Sequence, residues 1–369
     1  PALANGSFID YTDRSATRQP YVQNWNLGIQ YQMPWQTVLE MSYVANKGTR
    51  LLNPNAATLN QNSPGVLALG DTLTQQLTNQ IPRPYPGFTG TVAQALRPFP
   101  QYQDVGNNYP LTGSSTYNSL QVTATRRLQE GLSLLVAYTF SKSLANTDSA
   151  LGDGDGGIHQ NVYDLRADKS VTAFHIPHFL KATWIYALPF GQGQRFLNGG
   201  GIVDAILGGW TVTGIQNYRS GDVLAVFTNI DASTSLFSPG IRPDVVAGVP
   251  KIIDQGGVNF SSGTPYLNPA AFTLPPVTAG GVPLRLGNAP RVLPDVRGPH
   301  RVAEDFGMEK RFGLGENMNI EVRADFFNVF NRAGRANPET NVSDAARFGK
   351  IFNPAYSPRT IQTMIRLNF

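Results

Sequence analysis

The sequence has no cysteine, which excludes a disulfide framework and any thiolate metal site. Charge is also scarce: Asp, Glu, Lys and Arg make up 15% of the 369 residues, where a soluble domain usually carries about a quarter. The 29 Lys and Arg exceed the 25 Asp and Glu only slightly and are spread along the chain. No basic run marks a nucleic-acid groove. No segment reaches the roughly 18 consecutive apolar residues of a membrane helix. That absence leaves membrane strands open, because alternating strands give a weak hydropathy signal. The chain opens at Pro1 in a polar, loop-like segment without a signal-peptide pattern. An exported protein with this start is expected to be a mature piece or a fragment.

What is abundant is turn chemistry, with 37 glycines and 27 prolines, set around short alternating segments. The last stretch, Arg359 to Phe369, is the plainest. Ile361, Thr363, Ile365, Leu367 and Phe369 occupy one parity, and Thr360, Gln362, Met364, Arg366 and Asn368 the other. In a strand these parities become opposite faces. About ten tilted residues cross one bilayer core, so the stretch reads as a membrane strand with its apolar face to lipid.

The same unit recurs at Tyr21 to Tyr31, Thr37 to Ala45, Tyr117 to Arg127, Leu132 to Ser141 and His178 to Leu188. It continues at Gly209 to Arg219 (where alternation weakens after Gly214), Val302 to Arg311 and Asn317 to Phe326. In the last of these Met318, Ile320, Val322, Ala324 and Phe326 oppose Asn319, Glu321, Arg323 and Asp325. Between strands, short connections at Pro34, Glu130 and Gly315 and a medium one before Gly208 alternate with long loops. Asn46 to Ser115 is one such loop, and Asp222 to Arg301 is another, with an extra hairpin expected near Val223 to Thr228. Short periplasmic turns and long external loops are the pattern of bacterial barrels. Tyr31, Trp35, Phe190, Trp210, Phe312 and Phe369 gather beside the short turns, as in an aromatic girdle.

These features predict an all-β fold: an antiparallel transmembrane β-barrel segment with long external loops, in the outer membrane of a Gram-negative bacterium. An odd set of about nine strands cannot close antiparallel, and single-chain bacterial barrels use even numbers. Residues 1–369 are therefore expected to form the C-terminal part of one outer-membrane β-barrel domain. The competing fold is a secreted β-sandwich, in which the apolar faces would pack on each other.

Chemistry is sparse. Glu321, Arg323, Asp325 and Arg366 are expected to face the lumen as a salt-bridged wall. Asp148, Asp153 and Asp155 offer hard oxygens to Ca²⁺, or a solvated acidic loop tip. Gly152 to Gly157 contains a formal G-x-G-x-x-G, but no helix-period segment follows to receive a phosphate. The histidines, His159, His175, His178 and His300, lack metal-site spacing and read as interface residues. No nucleophile elbow is present, so no enzyme and no cofactor is expected. Tyr85, Phe88, Phe99, Tyr102 and Tyr109, with Arg83 and Arg97, either contact a ligand or pack loops together.

As an ordered set, several segments resemble the C-terminal barrel of TonB-dependent outer-membrane receptors, nearest to the Oar-like group carrying a carboxypeptidase-regulatory-like domain. They include Gln23 to Gln30, Tyr43 to Thr49, Tyr117 to Gln121, Tyr138 to Ser143 and Leu188 to Gly191. Gly208-Gly209-Trp210, Ser220-Gly221, Asn268 to Phe272, Asp325 to Asn331 and Arg366-Leu367-Asn368-Phe369 follow. The resemblance implies a barrel of about 22 strands with an internal plug, energised through the TonB complex. Plug, TonB box and earlier strands have no counterpart in this sequence. It also implies that Phe369 is part of the signal read by the barrel-assembly machinery. The implied activity is uptake of a large or scarce solute such as a glycan, peptide or metal chelate. A surface adhesion role of the long loops and a passive porin are the alternatives. Implied partners are outer-membrane lipid, the missing barrel and plug portion as the same or a separate chain, and TonB through that plug.

Overall fold

The computed structural model describes residues 6–369 apart from 57, 149–158, 192, 198, 200, 255 and 315–317. The predicted strands are present and join in chain order into one sheet. They are β1 (Tyr21–Met33), β2 (Thr37–Leu51), β3 (Gly113–Gln129), β4 (Leu132–Ala145) and β5 (His178–Ala187). Then come β6 (Trp210–Arg219), β7 (Arg301–Gly313), β8 (Asn319–Phe327) and β9 (Thr360–Asn368). Every neighbouring pair is antiparallel. A tenth strand, Ser170–Val171, pairs with the upper end of β4 off this path. The sheet is not closed: among the described residues β1 and β9 each keep one edge without a partner strand.

Register fixes the faces. Opposed residues share a face, and Leu27, Tyr43, Leu120 and Phe140 stand opposite one another across β1 to β4. On the far side Met308 faces Ala324, and Val322 faces Ile365. The apolar parities therefore merge into one continuous face. Most of it is uncovered by the described residues: Ile365 is 77% exposed and Leu27 70%. A sandwich would have buried these residues between sheets, so that competing fold is not what the chain adopts.

The weak alternation at Gly214 has a local cause. Gly214 stands opposite both Trp184 and Phe306 on the apolar face. The Trp184 indole lies over it, so a Cβ there would come within 2.5 Å of the ring. Trp184 then meets Phe306 edge-on with centroids 5.7 Å apart and donates Nε1–H to Gln216 Oε1 at 3.0 Å. One glycine makes room for a large indole, which in turn satisfies the amide beside it on a face otherwise apolar.

The long connections differ most from expectation. All four hydrophobic cores among the described residues lie there, not in the wall. One joins Leu224, Val226 and Leu293 to Phe348 and Ile351. A second joins Leu67, Leu73 and Ala93 to Leu236, Ile241 and Val282. A third closes Phe88 on Leu77 and Val92, and the fourth sets Val171 against Val223 and Val292. The segment between β6 and β7 takes part in three of the four, so the long connections assemble around it into one cap at the long-loop end of the wall.

Several local expectations change accordingly. The aperiodic stretch after β2 is a folded segment, with helical turns at Pro64–Thr74 and Val92–Ala95. Its strand Tyr102–Asn107 pairs in parallel with Ser7–Tyr11, inside the opening residues read as loop. The hairpin expected near Val223 to Thr228 does not form. Val223–Leu224 pairs instead with Leu293–Arg297, across the whole connection. The link between β5 and β6 carries a short helix, α1 (Ile202–Leu207).

Candidate functional site

The polar parities form the opposite face of the wall. On its short-turn half, Glu321 stands opposite Arg311 and Arg366, and Arg323 opposite Glu309. Arg311 Nε donates to Glu321 at 3.3 Å, and Arg323 donates to Asp325 at 2.9 and 3.1 Å. Arg366 lies on β9 at the open edge. These pairs are partly exposed, so each adds at most about 1 kcal/mol. They fix side-chain geometry and give this half of the face alternating charge.

The upper half has different chemistry. There β3 and β4 extend to 17 and 14 residues, beyond the roughly 9–11 a tilted strand needs to cross the bilayer. Above them the segment Phe174 to Ile176 bends over the polar face, and Ser141 Oγ donates to the Ile176 carbonyl at 2.8 Å. Two cavities result. One of about 320 Å³ is lined by Tyr117, Gln121, Thr139, Ser141, Phe174 and Phe179, among others. The second, about 290 Å³, shares Tyr117, Ser143 and Phe174 with it. Hydroxyls, an amide and aromatic rings dominate both. His175 borders the first, and burial together with the positive charges of Arg297 and Lys142 pushes its pKa down to about 4. It is neutral at pH 7. Asp148 borders the second, but its carboxylate is held by Arg291 at 2.6 Å.

That ion pair belongs to a buried polar network that sets the cap. Arg291, fully buried, also donates to the carbonyls of Asp168 and Ala145 at 3.0 and 3.2 Å. Asp168 contacts Arg242 closely and His159 at 3.0 Å. Gln61 donates to the Gln160 carbonyl at 2.9 Å, and Gln160 to that of Gly287 at 2.8 Å. Three long connections are thereby tied together within the cap. A Cβ at Gly287 would fall 1.8 Å from the Arg242 carbonyl, so only glycine allows the two backbones to meet there.

Of the sequence candidates, Asp148 is committed to Arg291 and to the Ala173 amide, while Asp153, Asp155 and Gly152 to Gly157 lie outside the described residues. Among the described residues no group of three acidic, histidine or cysteine side chains could hold a metal. Two of the four histidines, His159 and His175, are buried in the cap rather than at an interface. His178 is a strand-end residue, with Nδ1 2.8 Å from the Tyr138 hydroxyl. Phe88 packs in a core, and buried Arg97 lies on the Phe237 ring at 3.8 Å. Phe99, Tyr109 and Arg83 remain exposed. Phe369 is 93% exposed, one residue past β9. The Asp168–Arg242–Arg291 network left no local sequence signal, because its members come from separate connections.

On β7 two charges interrupt the apolar parity, Glu304 and Lys310, and both are buried and satisfied. Glu304, near the cap, accepts from Arg332 at 2.7 and 3.1 Å and from Tyr218 at 3.2 Å. Lys310, at the short-turn end, donates to the carbonyls of Ala205 at 2.5 Å and Ile206 at 3.3 Å, beneath Trp210 and Phe312. Together they bracket the apolar band on β7.

A family model described as "Outer membrane beta barrel domain" matches residues 1–362. Among solved structures, the outer membrane transporter YddB from Escherichia coli is similar, with a TM-score of 0.45 and 10% identity. The match covers 99% of this chain and 34% of that one, so the chain spans about a third of its length. No curated protein matches the sequence.

Proposed function

The chain belongs to the outer membrane β-barrel domain family and resides in the outer membrane, and from that premise we propose that it is the substrate-facing barrel portion of a TonB-dependent type of receptor. The cargo is a large or scarce solute, such as a glycan, peptide or metal chelate. The observation that carries the reading is the pair of cavities on the polar face, lined mainly by hydroxyls and rings, with the single carboxylate, Asp148, already neutralised by Arg291. Exposed rings interleaved with hydroxyls suit an uncharged, polyhydroxylated part of such a solute. The two unpaired sheet edges call for further strands, supplied by another part of the same protein or by another chain, which would complete the wall and enclose a plug. Phe369 would serve barrel assembly, and the Glu321–Arg323–Asp325–Arg366 side would face the lumen.

One observation favours a second reading, adhesion: the cap is a packed body with its own cores, more structure than a simple pore rim requires. Uptake of labelled oligosaccharides by cells bearing the complete protein separates these readings. TonB-type transport predicts accumulation that stops with a protonophore and weakens in Phe174→Ala. Protonophore-insensitive entry would mark a passive pore, and cell attachment without uptake would mark an adhesin; either result overturns the proposal.

A further inference from the structure

Helix α1 is out of place for a periplasmic turn. Ile202, Val203, Ile206 and Leu207 fall at i, i+1, i+4 and i+5, on one side of the helix. All four are exposed, Ile202 to 79% and Ile206 to 59%. In a water-facing turn such a stripe would be a liability. The helix does not hang free. Its last carbonyls are held by Lys310 Nζ, and Trp210 Nε1 donates to the Ile206 carbonyl at 2.9 Å. Lys310 and Trp210 stand opposite each other on the apolar face of the wall. The helix is therefore fastened to the outside of the wall at the short-turn rim, beside Phe312. The ammonium faces the negative end of the helix dipole, a favourable placement, and its stem covers apolar surface as a snorkelling lysine does.

We infer that α1 is an interfacial anchor, its apolar stripe inserted among the acyl chains of the inner-leaflet phospholipids of the outer membrane. The occupant follows from continuity. The stripe extends the uncovered lipid-facing band past the girdle formed by Trp210 and Phe312, at the depth where amphipathic helices lie in the plane of a bilayer. The inference holds whether or not the barrel transports.

These 369 residues contain no cysteine, so a cysteine introduced here is the single labelling position in this part of the protein. Spin labels at Val203→Cys and Ile206→Cys, with a cap control at Asn79→Cys, are to be read in the protein reconstituted in phosphatidylethanolamine–phosphatidylglycerol nanodiscs. The stripe labels should be accessible to oxygen and shielded from a nickel chelate, at a depth of about 5–10 Å below the headgroups. A label at Ile202→Cys should lose that signature when Val203→Asp and Ile206→Asp are added. Equal nickel access at Val203, Ile206 and Asn79 would overturn the inference. So would shielding from both reagents, which would mean that protein covers the helix.

Discussion

The wall and the cap obey opposite rules. In the wall, apolar side chains point outward and stay uncovered, and polar ones line the other face. In the cap, apolar side chains are buried, as in a soluble protein, and a fully buried arginine holds the centre. The difference lies in the solvent. Hydrocarbon removes any drive to hide leucine and obliges every backbone group to pair within the sheet. Water restores the hydrophobic drive and lets irregular backbone persist, provided its buried polar atoms find partners.

The largest test of this contrast is Arg291→Leu. Losing the buried partner of Asp148 should cost the cap about 3–5 kcal/mol. It should appear as faster hydrogen exchange and proteolysis in the connections, with exchange in β7 to β9 unchanged. Equal acceleration in the wall would mean that the two regions unfold together. A pair of substitutions on neighbouring residues of β9 probes the faces: Ile365→Arg should destabilise the barrel by about 2–4 kcal/mol in a bilayer. Met364→Arg, on the polar face, should be close to neutral by urea unfolding in liposomes. Similar losses at both positions would refute the assignment of faces.

Acid should separate the regions next. The pKa of His175 lies near 4 in the folded cap and near 6.5 in an unfolded chain. Between these values the unfolded state binds more protons, so stability falls as pH drops from about 6.5 toward 4. The total loss is up to about 3 kcal/mol. Cap proteolysis followed from pH 7 to 4 should show this dependence, and His175→Asn should flatten it. The smallest effect is expected from Arg323→Gln, whose partly exposed pairs are worth about 0–1 kcal/mol. Unfolding midpoints should barely move, and a large shift would show that the charged half of the polar face is structural.

Legibility followed the range of the interactions. Strand positions and faces were readable because period-two alternation is written into consecutive residues, and Ile361 to Leu367 or Ile320 to Phe326 each declare a side without help. Gly214 looked like a fault in the pattern until the Trp184 indole explained it from the neighbouring strand. The apolar spacing of Ile202, Val203, Ile206 and Leu207 is a local signal, but six residues are too few to declare a helix until Lys310 and Trp210 hold its carbonyls. The cap could not be read this way. Asp148 and Arg291 are 143 residues apart, and Val223 finds its strand partner only at Arg297.

The sequence alone determined the membrane-crossing unit, its repetition and the side of each strand that meets lipid, because hydrocarbon selects residues one by one along an extended chain. Only the tertiary structure decided that the long connections fold into a common cap, that Arg291 sits at its centre, and that two cavities lined mainly by hydroxyls and rings lie beneath it. Those outcomes depend on pairs of residues that become neighbours only after the wall has brought the loop ends together.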